Sequence, residues 1–195
     1  MSRREEQTES TRAALLLAAR GLFSERGYAA VGTEEIVRRA RVTRGALYHH
    51  FADKKDLFRG VHEQMEGELT EAIGAELAAA RAEDPLEALA TGVRSFLDAC
   101  TDSRLARIVL VEAPSVLGWA EWRETDERYG LGLVMAGLQG AMDAGALRKQ
   151  PVNPLAHLIL GALGEAAMLI ANAHDPVAVR AEVEPPMLAL LEGLR

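Results

Sequence analysis

Cysteine, aromatic residues and strand-like segments are all scarce in this chain. Its 195 residues include a single cysteine, Cys100, which cannot form an internal disulfide and therefore suggests a reducing compartment. Aromatic residues make up only 5% of the sequence, whereas alanine and leucine abound, so long helices are expected. No segment has the pattern of a strand. The sequence therefore predicts an all-α protein.

Membrane-directing segments are also missing from the sequence. Residues 1–12 mix both charges and contain no apolar stretch of the kind that a signal peptide needs. The most apolar run, residues 155–171, is short for a membrane span and contains His157 and Glu165. A cytoplasmic location is expected.

Patterns typical of enzymes do not occur either. The sequence shows no nucleophile–base pair, no paired carboxylates, no phosphate-binding loop and no metal-ligand spacing. We therefore expect neither catalysis nor a bound cofactor or metal.

Positive charge is in the minority overall but is concentrated at one end. The formal net charge is −7, with 22 lysines and arginines against 29 aspartates and glutamates. Residues 1–60 contain twelve basic and eight acidic residues, a net charge of +4, so the remaining 135 residues carry −11. A basic N-terminal part on an acidic body points to a polyanionic partner at that end.

Four helices are predicted in the N-terminal part. Gly27 is placed to end the first, and Thr33, Thr43 and Asp53 are placed to cap the other three, with Asp56 completing an acidic capping box. Two short helices joined by a turn of about three residues, between longer helices, form a helix-turn-helix. The predicted helices are 11–26, 33–41, 43–50 and 53 to about 80.

Further helices are predicted throughout the rest of the chain. Pro85 suits the first turn of a helix, and Pro114 should end the helix before it. The two prolines Pro185-Pro186 should bend the last helix or delay its start, leaving 187–194 as its core. The expected ranges are 85–100, 104–112, 119–144 and 154–173, followed by that last helix.

Residues 43–50 have the composition of a DNA-recognition helix. Thr43 can bind a phosphate while capping, Arg44 can reach guanine, and Gly45 lets the backbone approach closely. Tyr48 can contact thymine methyl groups. His49, His50 and Lys54 can bind the phosphate backbone.

Two simpler interpretations compete with DNA recognition for this cluster. Adjacent histidines could bind a metal, but they point about 100° apart on a helix, and no nearby cysteine or histidine completes a site. A charged helix face is often just solvated. Gly45 argues against that, because glycine is unfavourable in an ordinary helix.

Residues 11–58 resemble the DNA-binding domain of the TetR family of bacterial transcriptional repressors. The motifs that carry the resemblance are AARGLFSERGYAAVGTEEIVRRA, TRGALYHHF and FADKKDLF, which cover about a quarter of the chain. His49 departs from the family pattern, in which an aromatic such as tyrosine is frequent there. The resemblance implies a DNA-binding domain at 1–58 and a helical ligand-binding and dimerisation domain at 59–195. The implied DNA contacts are Thr33, Thr43, Arg44, Gly45, Tyr48, His49, His50 and Lys54.

The resemblance also implies a small-molecule pocket in the body, between the fourth and eighth helices. The effector is expected to be apolar and mostly uncharged, given the tryptophans, Phe96 and methionines there. Plain core packing is the competing interpretation for each residue, and Cys100 is expected to be a small buried hydrophobe rather than a redox sensor. The candidate lining residues are Met65, Leu69, Phe96, Cys100, Val111, Trp119, Trp122, Tyr129 and Met168.

The apolar run 155–171 is the expected homodimer interface. In the family, the last two helices of each subunit pair into a four-helix bundle, and this composition suits that role. Gly161 and Gly164 would allow close approach, while His157, Gly161 and Glu165 share one face with Met168. Glu165 is expected either to pair across the dimer or to face a polar ligand.

Three functions remain open from the sequence. The first is a dimeric repressor that a ligand releases from operator DNA. The second is a helical enzyme or ligand carrier with a vestigial DNA-binding head, which predicts no operator affinity. The third is an activator or architectural protein without a small-molecule ligand, which predicts no ligand-dependent release.

Overall fold

The computed structural model describes residues 3–80 and 82–195, and within them every regular element is helical. The all-α prediction is confirmed. Two stretches have the wider π-helical winding, Ala106–Glu112 (the first π segment) and Glu127–Leu131 (the second π segment). The α-helices are α1 Arg3–Arg26, α2 Thr33–Ala40, α3 Arg44–His50, α4 Lys54–Ala80, α5 Pro85–Ala99, α6 Ser103–Leu105, α7 Ala113–Leu117, α8 Trp119–Asp126, α9 Gly132–Asp143, α10 Val152–Ala171 and α11 Pro176–Glu192.

A small hydrophobic core holds α1, α2 and α3 against the start of α4. Phe23 and Phe58 are fully buried and meet edge to face, with Tyr28 packed on both rings. α1 begins eight residues before the predicted Thr11, because the apolar periodicity that marks the helix starts only at Leu15. The extension carries Glu5 and Glu6 in its first turn, where negative charges interact favourably with the helix dipole. Its apolar side is buried as predicted, at Leu15, Leu16, Ala19, Leu22 and Phe23.

Two of the three predicted helix caps are confirmed. The Thr43 hydroxyl accepts from the Ala46 N–H at 3.1 Å, and Asp53 accepts from the Asp56 N–H at 2.7 Å. The Asp56 carboxylate accepts in turn from the Ala52 N–H, one residue before the cap, at 2.9 Å. The prediction for Thr33 is wrong: Gly32 is the N-cap of α2, and Thr33 lies in the first turn without a capping bond.

Two predicted helices are interrupted by the π segments. The helix expected to stop before Pro114 instead passes through the first π segment and resumes as α7, with Pro114 in its first turn. Proline has no backbone N–H to donate, and inside a regular α-helix its ring would clash with a carbonyl of the preceding turn. The π winding before Pro114 and the new start of the helix at α7 avoid both problems. The predicted helix 119–144 is likewise divided, by the second π segment, into α8 and α9.

The last helix runs through both of its internal prolines. α11 begins at Pro176, after Asp175 whose carboxylate accepts from the Ala178 N–H at 3.1 Å. The predicted delay of its start is therefore wrong, since Pro185 and Pro186 lie inside the helix.

α10 buries one side only. Its 20 residues and its mean hydropathy of 1.7 would suit a membrane span, so the expectation that it is too short is wrong. Its buried side, which includes Ala156, Leu163 and Ala167, packs against α5, α9 and α11 as a core helix does. Its other side is open, and Leu158 and Leu169 there are 72% and 52% exposed.

Candidate DNA-binding surface and effector site

α3 turns its basic and aromatic side chains outward. Leu47 is fully buried on its inner side, whereas Tyr48 is 44% exposed and the Arg44 side chain is 64% exposed. The Arg44 guanidinium lies 5.6 Å from the centre of the Tyr48 ring and donates to Glu34 at 2.9 Å. An ion pair this exposed contributes little, so Arg44 can leave Glu34 for a nucleic acid at small cost.

Gly45 sits at the start of α3 with nothing packed over it. A Cβ atom built there would meet only the Thr43 hydroxyl, at 3.8 Å. No neighbour in the described ranges, 3–80 and 82–195, therefore requires glycine at this position. The open space is on the exposed side of the helix N-terminus, where backbone N–H groups favour phosphate.

His49 and His50 lie at the end of α3 with ring centres 5.2 Å apart. Partial burial lowers the pKa of His50, and the charges of His49 and Arg12 lower it further. No group of three or more metal-binding side chains occurs in the described residues, 3–80 and 82–195. Binding of these histidines to DNA stays a prediction.

Lys54 has a role inside the chain that the sequence did not indicate. Its ammonium donates to the carbonyls of Tyr28 and Val31 at 2.9 and 3.0 Å and lies 4.0 Å from the centre of the Tyr28 ring. Burial lowers its pKa. Two of its three N–H donors thus hold the turn between α1 and α2, and the expected phosphate contact could use only the third.

The turn that Lys54 holds also makes a contact with the C-terminal body of the chain. Glu112, the last residue of the first π segment, accepts from the Tyr28 N–H at 2.8 Å. Gly27 has a φ of +82°, and a Cβ there would come within 2.5 Å of the Glu112 carboxylate. Only glycine combines that conformation with that close approach. The body therefore contacts the backbone of the DNA-binding head directly.

A second link joins the head to α8. Glu121 pairs with Arg59 and, at 3.3 Å, with Lys55, whose ammonium also donates to the Leu117 carbonyl at 3.0 Å. The hydrogen bond from Arg59 lowers the pKa of Glu121, and the bond from Lys55 lowers it further. A movement of α8 would therefore also displace the start of α4.

The predicted pocket residues divide between interior and surface. Met65, Leu69, Cys100 and Trp122 are buried, and Phe96, Tyr129 and Met168 are partly buried. Val111 and Trp119 are 43% and 67% exposed, and their contact with an effector stays a prediction. Trp119 leans on Trp122 from outside, with ring centres 4.8 Å apart.

Cys100 behaves as the sequence suggested. It is 1% exposed, and burial together with the nearby Glu66 carboxylate raises the pKa of its thiol to about 12. The reactive thiolate is therefore suppressed, which confirms a small buried hydrophobe.

A buried polar cluster lies among the same helices. His62 is fully buried, and among the residues described neither of its ring nitrogens has a hydrogen-bond partner. Glu66, one turn further along α4, is 7% exposed and lies 3.4 Å from His62 Nε2. Asp126 of α8 is partly buried, with a side chain 21% exposed, and its charge interacts with both: burial raises its pKa to about 6, the Glu66 charge adds to that rise, and Arg123, 2.8 Å away, opposes it.

Comparisons with known proteins place both parts of the chain in one family. Residues 86–194 match the family model described as "Tetracyclin repressor-like, C-terminal domain", and residues 15–61 match "Bacterial regulatory proteins, tetR family". The C-terminal match alone covers more than half of the chain. The chain belongs to the TetR family.

Individual relatives agree with this assignment. The TetC protein of transposon Tn10 from Escherichia coli is 30% identical over 157 residues, 80% of this chain and 78% of TetC. A crystal structure of a TetR-family regulator from Pectobacterium atrosepticum superposes with a TM-score of 0.86 at 37% identity, covering 100% of this chain and 97% of that one. The transcriptional activator FasR of Mycolicibacterium smegmatis is 34% identical over 105 residues, 54% of this chain and 39% of FasR.

This TetR-family chain is therefore a DNA-binding transcriptional regulator and not an enzyme. Members of the family bind operator DNA and small-molecule effectors. The helix-turn-helix corresponds to α2 and α3, within the N-terminal match.

The polar cluster and the links between head and body were not predicted from the sequence. One signal was present: His62 and Glu66 stand four residues apart on the face of α4 that also carries Phe58, Met65 and Leu69. Two polar residues on an otherwise apolar face indicate an interior polar site. Asp126 and Glu112 had no comparable local signal, because His62 and Glu66 lie 60 or more residues from Asp126, and Tyr28 lies 84 residues from Glu112.

Replacing Arg44 of this TetR-family protein tests the outward face of α3. Arg44→Ala should cost roughly 1–3 kcal/mol on the specific site and relax the preference at one base position per half-site. Arg38→Ala, on the exposed surface of α2, is the comparison variant. The measurement is a binding-site selection with each variant. An unchanged motif of unchanged strength for Arg44→Ala would exclude a base contact.

Proposed function

We propose that this TetR-family regulator is a homodimeric repressor. In this proposal residues 1–58 bind a palindromic operator through α3, and residues 59–195 dimerise and bind a small effector with a largely apolar body. The effector releases the protein from DNA, and the protein acts in the cytoplasm. The observation that carries the proposal is the exposed face of α3, where Arg44 and Tyr48 flank a glycine that no packing within the chain requires.

An exposed apolar surface supports the dimer. Leu158 and Leu169 on α10 and Val177 and Leu190 on α11 are each more than half exposed, although all are large and apolar. α10 packs against α11, so large exposed apolar residues occur on two neighbouring helices. Exposed apolar surface of this kind is typical of an interaction site.

The residues expected at the dimer interface lie on this open side of α10. Gly161 and Glu165 are exposed, and a Cβ on Gly161 or on Gly164 would meet nothing within 4 Å. His157 is partly exposed, 3.5 Å from Glu127 of its own chain. Two symmetry-related copies of α10 could therefore approach closely at the glycines, with Glu165 available to a partner.

The contacts between head and body support release by an effector. Trp122 of α8 donates its indole N–H to the Val109 carbonyl in the first π segment, at 3.0 Å. The same segment ends at Glu112, which holds the Tyr28 backbone. A ligand that displaces α8 would thus shift the turn on which α2 and α3 are mounted. Such a ligand releases the protein from DNA only if it binds more tightly to the protein with the head displaced than to the protein with the head positioned for DNA.

Glu112→Ala should uncouple the body from the head. Without its bond to the Tyr28 N–H, the effector should lose much of its influence on DNA, which in such systems is roughly 5- to 150-fold. The measurement is the ratio of operator affinities with and without effector, which should fall toward one. Glu124→Ala, a change on the exposed face of α8, is the control. Wild-type coupling in Glu112→Ala would remove this contact from the pathway.

Transcription from a promoter that carries the bound site distinguishes a repressor from an activator. Repression predicts less transcript when the protein is added and recovery when the effector follows. The activator is the second candidate, because FasR is an activator and shares 34% identity over 105 residues. An increase in transcript on adding the protein would establish the second candidate instead.

A further inference from the structure

We propose that His62, Glu66 and Asp126 form the polar recognition element of the effector site, and that the effector carries a protonated amine on its apolar body. This inference rests on the effector-binding role proposed above and specifies the ligand. It departs from the uncharged effector that composition alone suggested, while keeping the apolar body.

The unpaired state of His62 points to a partner outside the chain. Buried polar side chains in folded proteins are nearly always hydrogen-bonded, because an unpaired one keeps the full cost of leaving water. His62 is fully buried, and within the described residues neither ring nitrogen makes a hydrogen bond, since the Glu66 carboxylate, 3.4 Å from Nε2, is at ion-pair distance only. A bound molecule that reaches these nitrogens would complete the site.

The charges around His62 select a cation. Glu66 and Asp126 bring two carboxylates, and Arg123 divides its guanidinium between Asp126 at 2.8 Å and Glu127 at 3.1 Å. Asp126 and Glu127 thus share one arginine, and within the described ranges Glu66 has His62 as its only ion-pair partner, at 3.4 Å. A protonated amine supplies both the missing positive charge and N–H donors, whereas an anion would meet repulsion.

A metal ion fits this cluster poorly. No set of three or more histidine, cysteine, aspartate or glutamate side chains with metal-binding geometry is found in the part of the chain that is described. The adjacent Cys100 is held as the neutral thiol by burial, and a metal would require the thiolate.

The surroundings of the cluster suit an apolar body. Two buried apolar side chains lie beside the cluster. Met65 precedes Glu66 on α4, and Trp122 lies one turn before Asp126 on α8. The second π segment begins directly after Asp126, and such interruptions of a helix are frequent at functional sites. An amine held by Glu66 and Asp126 would bridge α4 and α8, the two helices joined to the head by Lys54 and Glu121.

Three probes with the same aromatic ring test the charge preference. They are 2-phenylethylamine, 2-phenylethanol and 3-phenylpropionate, titrated by calorimetry into the full-length protein at pH 7.5. The amine should bind about tenfold more tightly than the alcohol, because a hydrogen bond between charged groups is stronger than one between neutral groups, and the anion should bind most weakly. Equal affinities for the three, or no binding of the amine at millimolar concentration, would overturn the proposal.

Glu66→Gln separates recognition of charge from a general role in the fold. It should weaken the amine about tenfold and the alcohol much less, because only the amine loses an ionic partner. Glu124→Gln, an exposed change of the same kind on α8, should leave all three affinities unchanged. Equal weakening of amine and alcohol by Glu66→Gln would show loss of structure and would contradict the assignment.

Thermal unfolding of His62 variants without probe gives a second readout. If the hydrogen-bond partner of His62 is a ligand, an apolar replacement removes a buried polar group that has no hydrogen bond in the free protein. His62→Leu and His62→Phe should therefore melt at a higher temperature than the wild type, and both should bind the amine more weakly. Lower melting temperatures in both variants would mean that the chain itself satisfies His62. Operator binding by the wild type without probe is measured in parallel. If the protein binds the operator but not the amine, only the amine-site inference is contradicted. If the protein does not bind the operator, the proposed function is contradicted as well.

Discussion

Gly45→Glu is expected to make the protein more stable and to abolish operator binding. The structure leaves open space around the Gly45 Cα, with the Thr43 hydroxyl 3.8 Å from where a Cβ would be. Glutamate favours a helix over glycine by roughly 0.5–1 kcal/mol, and a negative charge in the first turn of α3 adds about 0.3–1 kcal/mol. The same carboxylate would stand where a phosphate must approach. The melting temperature should therefore rise by a few degrees, and operator affinity should fall toward the non-specific level.

Gly74→Glu is the matched control for this change. Gly74 lies within α4, and a Cβ there would also meet nothing within 4 Å. It lies well away from α3 along the chain, so its replacement should keep operator affinity. The two variants are compared by thermal unfolding and by fluorescence anisotropy with labelled DNA. Full operator affinity in Gly45→Glu would show that DNA does not approach the start of α3.

Gly161→Arg is expected to produce a folded monomer with little operator affinity. A Cβ on Gly161 meets nothing within the chain, so the substitution is tolerated by the protomer. In a dimer joined through α10, the arginine would push the helices apart and bury an unpaired charge. A monomer reads one half-site only, and its affinity should fall by roughly 10³-fold or more, toward non-specific binding.

Gly140→Arg provides the comparison for the dimer. Gly140 is an exposed glycine of α9 with equally open surroundings, and it lies outside the apolar surface formed by α10 and α11. Sedimentation velocity should show dimers for the wild type and for Gly140→Arg, and monomers for Gly161→Arg. Dimers of unchanged stability in Gly161→Arg would move the interface away from this face of α10.

The parts of the structure that local sequence governs were predictable. The cap at Thr43, the box at Asp53 and Asp56, and the stop at Gly27 each depend on residues within four positions of one another, and all three are present. Gly32 displaced Thr33 as the N-cap of α2. Either residue suits that position, and the sequence did not decide between them.

Features that depend on distant partners were not predictable from the sequence. The role of Lys54 requires the turn at Tyr28 to lie against the start of α4, and that of Glu112 requires the first π segment to reach the same turn. The π winding itself accompanies Pro114 at one place, but no residue marks it at the other. The exposed positions of Val111 and Trp119 follow from that winding and from the division at Gly118, which a regular helical periodicity misses.

Selection from random double-stranded DNA by the purified wild-type protein tests the central claim most directly, when the number of bound chains is measured on the selected sequence. A homodimeric regulator that reads DNA through α3 should enrich one motif of two inverted half-sites and bind it as two chains. Enrichment of no sequence, or of a single half-site bound by one chain, would contradict the account.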